Sequence, residues 1–550
     1  MIRHVVLVGL SGTGKSSVGR AAALELGWEL VDTDDEIERR TGKSIPDIFR
    51  DDGEAAFREI EQGVLREALS RDQVVVATGG GAVVDPRVWS STLLASSQSL
   101  AIWLDADAAT LIERLRTQAA TIGAAADRPL LAGNNALARL GLLRDQRVEA
   151  YTRADIALDV SARTVSEVTA DIVDMARLGC GQELRIDLDV ATAHSAIHVG
   201  VGARFRAGEL IRQRWPKARR IWVAIDANLE PQLQDEIETM RETSAMRVEV
   251  LPVPSGEASK SMLGLERLHD WMLGSGIERD DIVVAMGGGM VGDLAGFAAA
   301  TVLRGVGLMQ LPSTLLSMVD SSVGGKTGIN HRHGKNLIGA FYQPAEVVID
   351  SSFLGSLPQR ELRSGWAEIV KHAVIEPSVP GKSAGALLGV LERNVSALLA
   401  LSNPIVHWTI GRNVALKAAV VEADEREAGI RAYLNFGHTI GHGIEAAGYS
   451  LLHGEAVAVG MCASLFIARE LDLIDESFEN RIRELIVAFG LPVRAEVDSD
   501  LVRQMTKTDK KKSAGRQKWV LPVRNGGVTI TTDVPEELAQ RAIRNVTGAA

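Results

Sequence analysis

Cysteine is scarce in this chain of 550 residues: Cys180 and Cys462 are the two it has. That excludes a disulfide framework and fits a reducing cytoplasm. No apolar stretch approaches the ~18 residues that a membrane-spanning helix requires. The opening M-I-R-H-V-V-L-V-G runs directly into a strand pattern and a glycine loop. Its apolar run is too short for a secretion signal, and no cleavage site follows. Positive charge is not in excess either. The net charge is −11, which argues against a general nucleic-acid role but leaves room for anionic substrates in a locally basic cleft. Internal repeats and low-complexity tails are also missing. What remains is 46% hydrophobic and 24% charged, enough for real cores, and long enough for two to four domains.

One stretch dominates. From Asp281 the chain reads D-D-I-V-V-A-M-G-G-G-M-V-G-D-L-A-G-F, then R-G, then P-S-T-L-L-S-M-V-D-S-S-V-G-G-K-T-G-I-N, then G-K-N ending at Asn336. Ile282 to Met286 reads as a buried parallel strand feeding a helix through Gly287, Gly288 and Gly289. Backbone without Cβ lets phosphates approach, and the free N–H groups of the next helix attract their charge. A lone G-G-G says little. Here Asp293, Arg304, Asp320, Lys326, Lys335 and Asn336 follow within about fifty residues, as a polar site between apolar runs would.

Near the N-terminus, Val5 to Val8 is a strand running into Gly9-Leu-Ser-Gly12-Thr13-Gly14-Lys15-Ser16, which satisfies G-x-x-x-x-G-K-[ST]. Backbone N–H groups of such a loop wrap the β- and γ-phosphates of a nucleotide, with Lys15 on the same oxygens and the Ser16 hydroxyl on Mg²⁺. Asp32 and Asp34 follow at a strand's end, where one carboxylate could serve metal-bound water and the other a substrate hydroxyl. Alone they read equally well as an acidic helix cap. Arg58 lies in F-R-E-I-E, a second strand ends in Gly79-Gly80-Gly81, and D-R128-P-L-L and R147-V-E-A-Y151 close the region. In the later half, Glu368 sits in G-W-A-E-I-V-K-H. His438 and His442 sit in N-F-G-H-T-I-G-H, and His453 in L-L-H-G-E-A-V. His438 and His442 at i, i+4 share one helix face, which alone gives a two-ligand patch.

These motifs, in this order, resemble two enzyme families of one pathway. The first ~170 residues resemble shikimate kinase, and roughly 186–550 resemble 3-dehydroquinate synthase. The expected architecture is α/β: a P-loop kinase with helices on both faces of a parallel sheet (1–174), a linker (175–184), an α/β NAD-binding domain (185–350) and a mostly helical metal-binding domain (351–550). The kinase resemblance implies that Gly12, Thr13, Gly14, Lys15, Ser16, Ser17 and Arg128 hold ATP, with Ser16 and Asp32 near Mg²⁺. It implies that Asp34, Arg58, Gly80 and Arg147 hold shikimate, with Asp34 orienting or accepting the hydroxyl proton and Arg128 on a lid. Paired arginines suit a carboxylate. Two departures stand out. The family's Arg-x-Pro-Leu-Tyr lacks its proline here, and an Ala/Gly-rich insert lengthens the lid before Asp127.

The synthase resemblance implies NAD at Asp226, Asn228, Glu257, Lys260, Gly288, Gly289, Asp293, Ser313, Thr314, Asp320, Lys326, Lys335, Asn336, Phe353 and Ser356. It implies Zn²⁺, or Co²⁺, on Glu368, His438 and His453, with His442 on substrate instead. Two imidazoles and one carboxylate leave open positions, as a catalytic site requires. Arg304, Lys326, Lys371, Lys417, Arg431 and Asn435 match residues gripping 3-deoxy-D-arabino-heptulosonate 7-phosphate; Asp320, Glu427 and His442 match pocket residues with catalytic roles. D-K-K-K at 509–512 matches a lysine returned to the pocket, Lys510 or Lys511. The implied reaction oxidises and re-reduces the substrate, expels phosphate and closes a ring, leaving NAD unchanged overall. Small-molecule substrates are expected, with no nucleic acid and no membrane, and the resemblance implies a homodimer. Two other readings stay open: a metal-dependent polyol dehydrogenase, and one half serving as an inactive scaffold.

Overall fold

The computed structural model describes residues 1–122, 136–381, 386–448, 450–510, 517–524 and 526–548. The chain forms two compact units, one of Met1–Gln182 with Gly389–Trp408, the other of Glu183–Leu388 with Thr409–Ala550.

The first unit is built on five parallel strands, β1 (His4–Val8), β2 (Glu29–Asp32), β3 (Val74–Ala77), β4 (Ser99–Asp105) and β5 (Ile156–Asp159), in the order β2-β3-β1-β4-β5. β1, β3 and β4 are buried along their whole length, which explains their unbroken apolar text. Helix Lys15–Leu26 follows β1 after the loop of residues 9–14, and helix Val165–Gly179 is opened by a capping box between Thr164 and Glu167. β5 is an edge strand, and its open backbone is satisfied from far along the chain. The Asn394 side chain donates to Ala157 O and accepts from Ala157 N, both at 2.8 Å, while Arg393 pairs with Asp159 at 2.8 Å. A carboxamide carries both a donor and an acceptor, so it can complete a peptide unit as a neighbouring strand would.

The second unit holds a seven-stranded sheet: β6 (Leu184–Val190), β7 (Ala193–Val199), β8 (Arg220–Asp226), β9 (Arg247–Val253), β10 (Ile282–Gly287), β11 (Gly307–Pro312) and β14 (Glu346–Ile349). Their order is β6-β7-β14-β11-β10-β8-β9, parallel except for the β6–β7 hairpin. β8 has its successor β9 on one side and β10 on the other. The strand order therefore reverses between β8 and β10, and a crevice opens at their carboxyl ends. A two-stranded hairpin, β12 (Lys326–His331) with β13 (Gly334–Phe341), follows β11. From Gln359 onward the unit is helical, apart from the small hairpin β15 (Trp519–Pro522) with β16 (Val528–Thr531). The expected linker at 175–184 covers the end of helix Val165–Gly179 and the start of β6. Among the described residues no helix is long and apolar enough to cross a membrane.

His198 on β7 ties three segments together. Its Nε2 lies 3.0 Å from Glu346 on β14 and its Nδ1 3.7 Å from Glu183, which also takes Arg206. Burial works to lower its pKa, but the two carboxylates override that and raise it to about 9. A raised folded-state pKa gives stability that is complete below the unfolded value of 6.5 and lost as pH climbs through about 9. Thermal melts of the wild type are expected to weaken between pH about 7 and about 10, by on the order of 1 kcal/mol more than those of His198→Asn. Parallel curves for the two proteins would show that this ion pair contributes nothing.

Candidate active sites

In the first unit the loop after β1 carries Gly9, Gly12 and Gly14 with φ of 141°, 91° and 93°. These left-handed values turn successive N–H groups inward. Lys15 is buried and its Nζ folds back on the loop, donating to Gly9 O and Leu10 O at 2.9 Å. The loop borders a cavity of about 830 Å³, lined by Gly12, Thr13, Gly14, Lys15, Ser16, Ser17, Asp32, Asp34 and Gly80. Arg114, Ser161 and Val165, which the sequence did not nominate, line it too.

Asp32 caps helix Thr33–Thr41 by accepting from Asp34 N, so the acidic-cap reading and the site reading describe the same residue. Four charged side chains meet at Gly79-Gly80-Gly81. A Cβ on Gly79 would lie 2.7 Å from Asp34 Oδ1 and from Glu61 Oε1, and a Cβ on Gly81 would overlap the Arg58 guanidinium. Arg147 and Tyr151 both donate to Gly80 O, at 2.7 and 2.6 Å. They stand one turn apart at the end of helix Ala136–Tyr151. Burial first, then Asp32, raises the Asp34 pKa, against the pull of Lys15. Glu61 escaped the sequence reading. It is buried, takes Arg58 at 2.6 Å, and leaves Oε1 without a hydrogen bond. Its signal was the i, i+3 spacing to Arg58. Arg128 and the lid insert from Gly123 lie outside the described residues.

In the second unit the crevice between β8 and β10 gathers many nominated residues. Asp226 ends β8 and accepts from Asn228 N and from Ser255 Oγ. Helix Gly289–Thr301 begins directly after β10, with Gly288 against Thr314 and Gly289 against Ser321. Ser313 N donates to Gly287 O. The buried Lys260 ammonium donates to Asp293 and to Asn336 Oδ1, each at 2.5 Å, and Asn330 holds both Glu257 and the Asn336 backbone. Phe353 and Ser356 lie in the turn after β14, where the Arg204 guanidinium stacks on Phe353 at 5.1 Å.

The helical part of this unit contains the metal candidate. Glu368, fully buried on helix Gln359–Ile375, points Oε1 at His438 Nε2 and His453 Nε2, 3.7 Å from each. That buried oxygen has no hydrogen bond. The other faces of the three groups are held. Lys371 donates to Glu368 Oε2, His438 Nδ1 faces Phe436 O at 3.1 Å, and His453 Nδ1 faces Glu445 Oε2 at 3.2 Å. Burial opposes ionisation of Glu368, but Lys371 and the two imidazoles hold its pKa well below the usual carboxylate range. Burial and Lys371 drive His438 the other way, well below an ordinary histidine.

Nearby, Asp320 sits in a π-helical turn, Ser317–Ser321, and takes the buried Lys417 ammonium. Lys326 pairs with Glu427 at 2.5 Å, and Asn435 donates to the other Glu427 oxygen. Arg431 is buried, donating to Glu425 O and Gly324 O while its Nε stays unpartnered. Arg304, Asn336 and Glu427 all adopt left-handed backbone, at φ of 68°, 55° and 61°, a strained choice for L side chains. Arg304 is exposed and forms no ion pair among the described residues. His442 stacks edge-on to His438, with ring centres 5.2 Å apart. Lys510 ends helix Ser499–Lys510; Lys511 lies outside the described residues.

Small residues set the spacing of the three ligand-bearing helices. A Cβ on Gly454, next to His453, would come 1.9 Å from Ser364 O on the helix of Glu368, and one on Gly460 would come 2.0 Å from Gly437 O beside His438. Backbones can approach this closely only where no Cβ intervenes.

A P-loop nucleotide site and a carboxylate–imidazole centre in a unit with a glycine-headed crevice define an enzyme with two active centres in one chain. Comparison with known proteins agrees. Residues 11–177 match shikimate kinase, 250–364 the N-terminal part of 3-dehydroquinate synthase, and 365–512 its C-terminal part. Over 342 residues the chain is 43% identical to the 3-dehydroquinate synthase of Symbiobacterium thermophilum, covering 62% of this chain and 94% of that protein. Its fold resembles the solved 2-epi-5-epi-valiolone synthase of Streptomyces hygroscopicus subsp. jinggangensis with NAD⁺ and Zn²⁺ bound (27% identity, TM-score 0.56, 60% of this chain and 91% of that one). It also resembles 2-deoxy-scyllo-inosose synthase in fold (24% identity, TM-score 0.59, 66% of this chain and 100% of that one). The chain belongs to the 3-dehydroquinate synthase family, with a shikimate kinase at its N-terminal end: a bifunctional enzyme of the shikimate pathway.

Gly454→Ala is expected to force the His453 helix away from the Glu368 helix. The second unit should lose about 1–3 kcal/mol of stability and bind a divalent cation more weakly, read by calorimetry and by cation titration of the metal-free protein. Wild-type cation affinity in this variant would show that helix approach does not set the ligand geometry.

Proposed function

We propose that the first unit phosphorylates shikimate with ATP, and that the second converts 3-deoxy-D-arabino-heptulosonate 7-phosphate into 3-dehydroquinate and phosphate, in the cytoplasm and as a homodimer. The observation carrying the second activity is the bare, buried Glu368 Oε1 facing two imidazole nitrogens. That donor set suits Zn²⁺ and also Co²⁺. A divalent cation there supplies Lewis acidity at a substrate hydroxyl, and NAD in the β8–β10 crevice supplies reversible oxidation of the same carbon.

The chain's own side chains do the rest. Lys371, Lys417 and Arg431 form a cationic floor for the substrate's carboxylate, hydroxyls and phosphate, with Lys326 and Arg304 and with Asn435 as a neutral donor. Asp320 and Glu427 hold the lysines in place, and His442 and Glu427 are positioned to exchange protons with substrate hydroxyl or carbon acids. In the crevice, Gly288, Gly289, Asp293, Lys260 and Asn336 border the dinucleotide. Phosphoryl transfer in the first unit is chiefly positioning and charge neutralisation. The loop N–H groups and Lys15 take the phosphates, Ser16 and Asp32 serve Mg²⁺, and Arg58 and Arg147 grip the shikimate carboxylate. Asp34 takes the hydroxyl proton, which its raised pKa favours.

The wild-type protein should release phosphate from the heptulosonate phosphate with no stoichiometric gain of NADH absorbance. NADH accumulating without phosphate would make the second unit a dehydrogenase. Lys15→Ala should cost at least about 100-fold in shikimate phosphorylation and spare phosphate release; His438→Ala should do the reverse. If each variant kept both activities, the assigned centres would be wrong.

A further inference from the structure

Glu445 belongs to neither half of the scheme above, yet it touches both. It stands on helix His438–Ala447, three residues after His442, and is half-buried. One carboxylate oxygen accepts from His453 Nδ1 at 3.2 Å. The other accepts from Lys335 Nζ at 2.7 Å. The first contact has a defined consequence. A proton held on Nδ1 leaves Nε2 as the lone-pair nitrogen, and Nε2 is the atom that faces Glu368 Oε1. His438 achieves the same through a backbone carbonyl, Phe436 O, which is fixed by the chain. His453 depends on a side chain that could move.

The second contact shows what restrains that side chain. Lys335 lies on β13, next to Asn336, and Asn336 takes the Lys260 ammonium that also holds Asp293 on helix Gly289–Thr301. Polar contacts, joined across the peptide bond between Lys335 and Asn336, therefore lead from His453 through Glu445 to the hairpin and on to the crevice at the end of β10.

We propose that Glu445 is a positioning residue: it fixes the direction and tautomer of His453 for a divalent cation, and through Lys335 it makes cation binding depend on occupancy of the β8–β10 crevice. This rests on the reading that Glu368, His438 and His453 hold the cation. The carboxylate acts on an imidazole, not on substrate, so its removal should show in cation binding itself.

The test is titration of the metal-free full-length protein with Co²⁺, read by its visible absorption and by equilibrium dialysis, with and without saturating NAD⁺. His453→Ala separates the two readings: if it binds Co²⁺ like wild type, the cation site itself is misassigned. Given its loss there, Glu445→Ala should raise the Co²⁺ Kd about 10- to 100-fold and shift the absorption bands. Glu445→Gln keeps an acceptor for Nδ1 and should raise Kd less. It covers the case in which the alanine variant does not fold. Wild-type Kd and spectrum in both Glu445 variants would overturn the positioning role. Saturating NAD⁺ should tighten Co²⁺ binding in wild type, and Lys335→Met should abolish that tightening. No NAD⁺ effect in wild type, or an undiminished one in Lys335→Met, would overturn the link to the crevice.

Discussion

A single buried oxygen without a hydrogen bond, Glu368 Oε1, sets the terms for the second unit. A carboxylate taken out of water is costly unless charge and hydrogen bonds replace the solvent. Here Lys371 serves one oxygen and two imidazoles face the other, so the carboxylate stays ionised with one coordination position open. The surrounding arrangement serves that convergence. Three helices meet where Gly454 and Gly460 let their backbones touch, each imidazole is held by its far nitrogen, and the lysine floor is balanced by Asp320 and Glu427.

The first unit solves a different problem with the same economy of parts. Beside its P-loop, charge is gathered not by one residue type but at a glycine triplet against which Asp34, Glu61, Arg58 and Arg147 close. The glycines are there as space for charged groups. Tyr151 and Arg147 reach the same carbonyl because a helix repeats every 3.6 residues.

Much of this was legible in the sequence because the signals are local. The P-loop is eight consecutive residues, the strand before it is unbroken apolar text, and the glycines after β10 announce a close backbone approach. The architecture came with the family resemblance that these motifs carried. What stayed hidden depends on distance in the chain. Glu445 looks like an ordinary helix-surface carboxylate, and its partner His453 stands on the next helix; Glu61 has a local partner in Arg58, but its approach to Asp34 across Gly79 exists only in the fold. The convergence of Glu368, His438 and His453 spans 85 positions (453 − 368) with no periodic signal, and family resemblance, not spacing, picked it from the His438–His442 pair. The left-handed backbone at Arg304, Asn336 and Glu427 had no signal at all, since none of these is a glycine.

The carboxamide of Asn394 on the edge of β5 bears on how the enzyme can be taken apart. The unit that contains the P-loop is assembled from two stretches, Met1–Gln182 and Gly389–Trp408. A cut after Gln182 would remove the carboxamide that pairs with Ala157 on the edge strand and the guanidinium on Asp159. Membership of the P-loop unit is thus not a single uninterrupted run of the polypeptide: twenty residues from far beyond Gln182 belong to it.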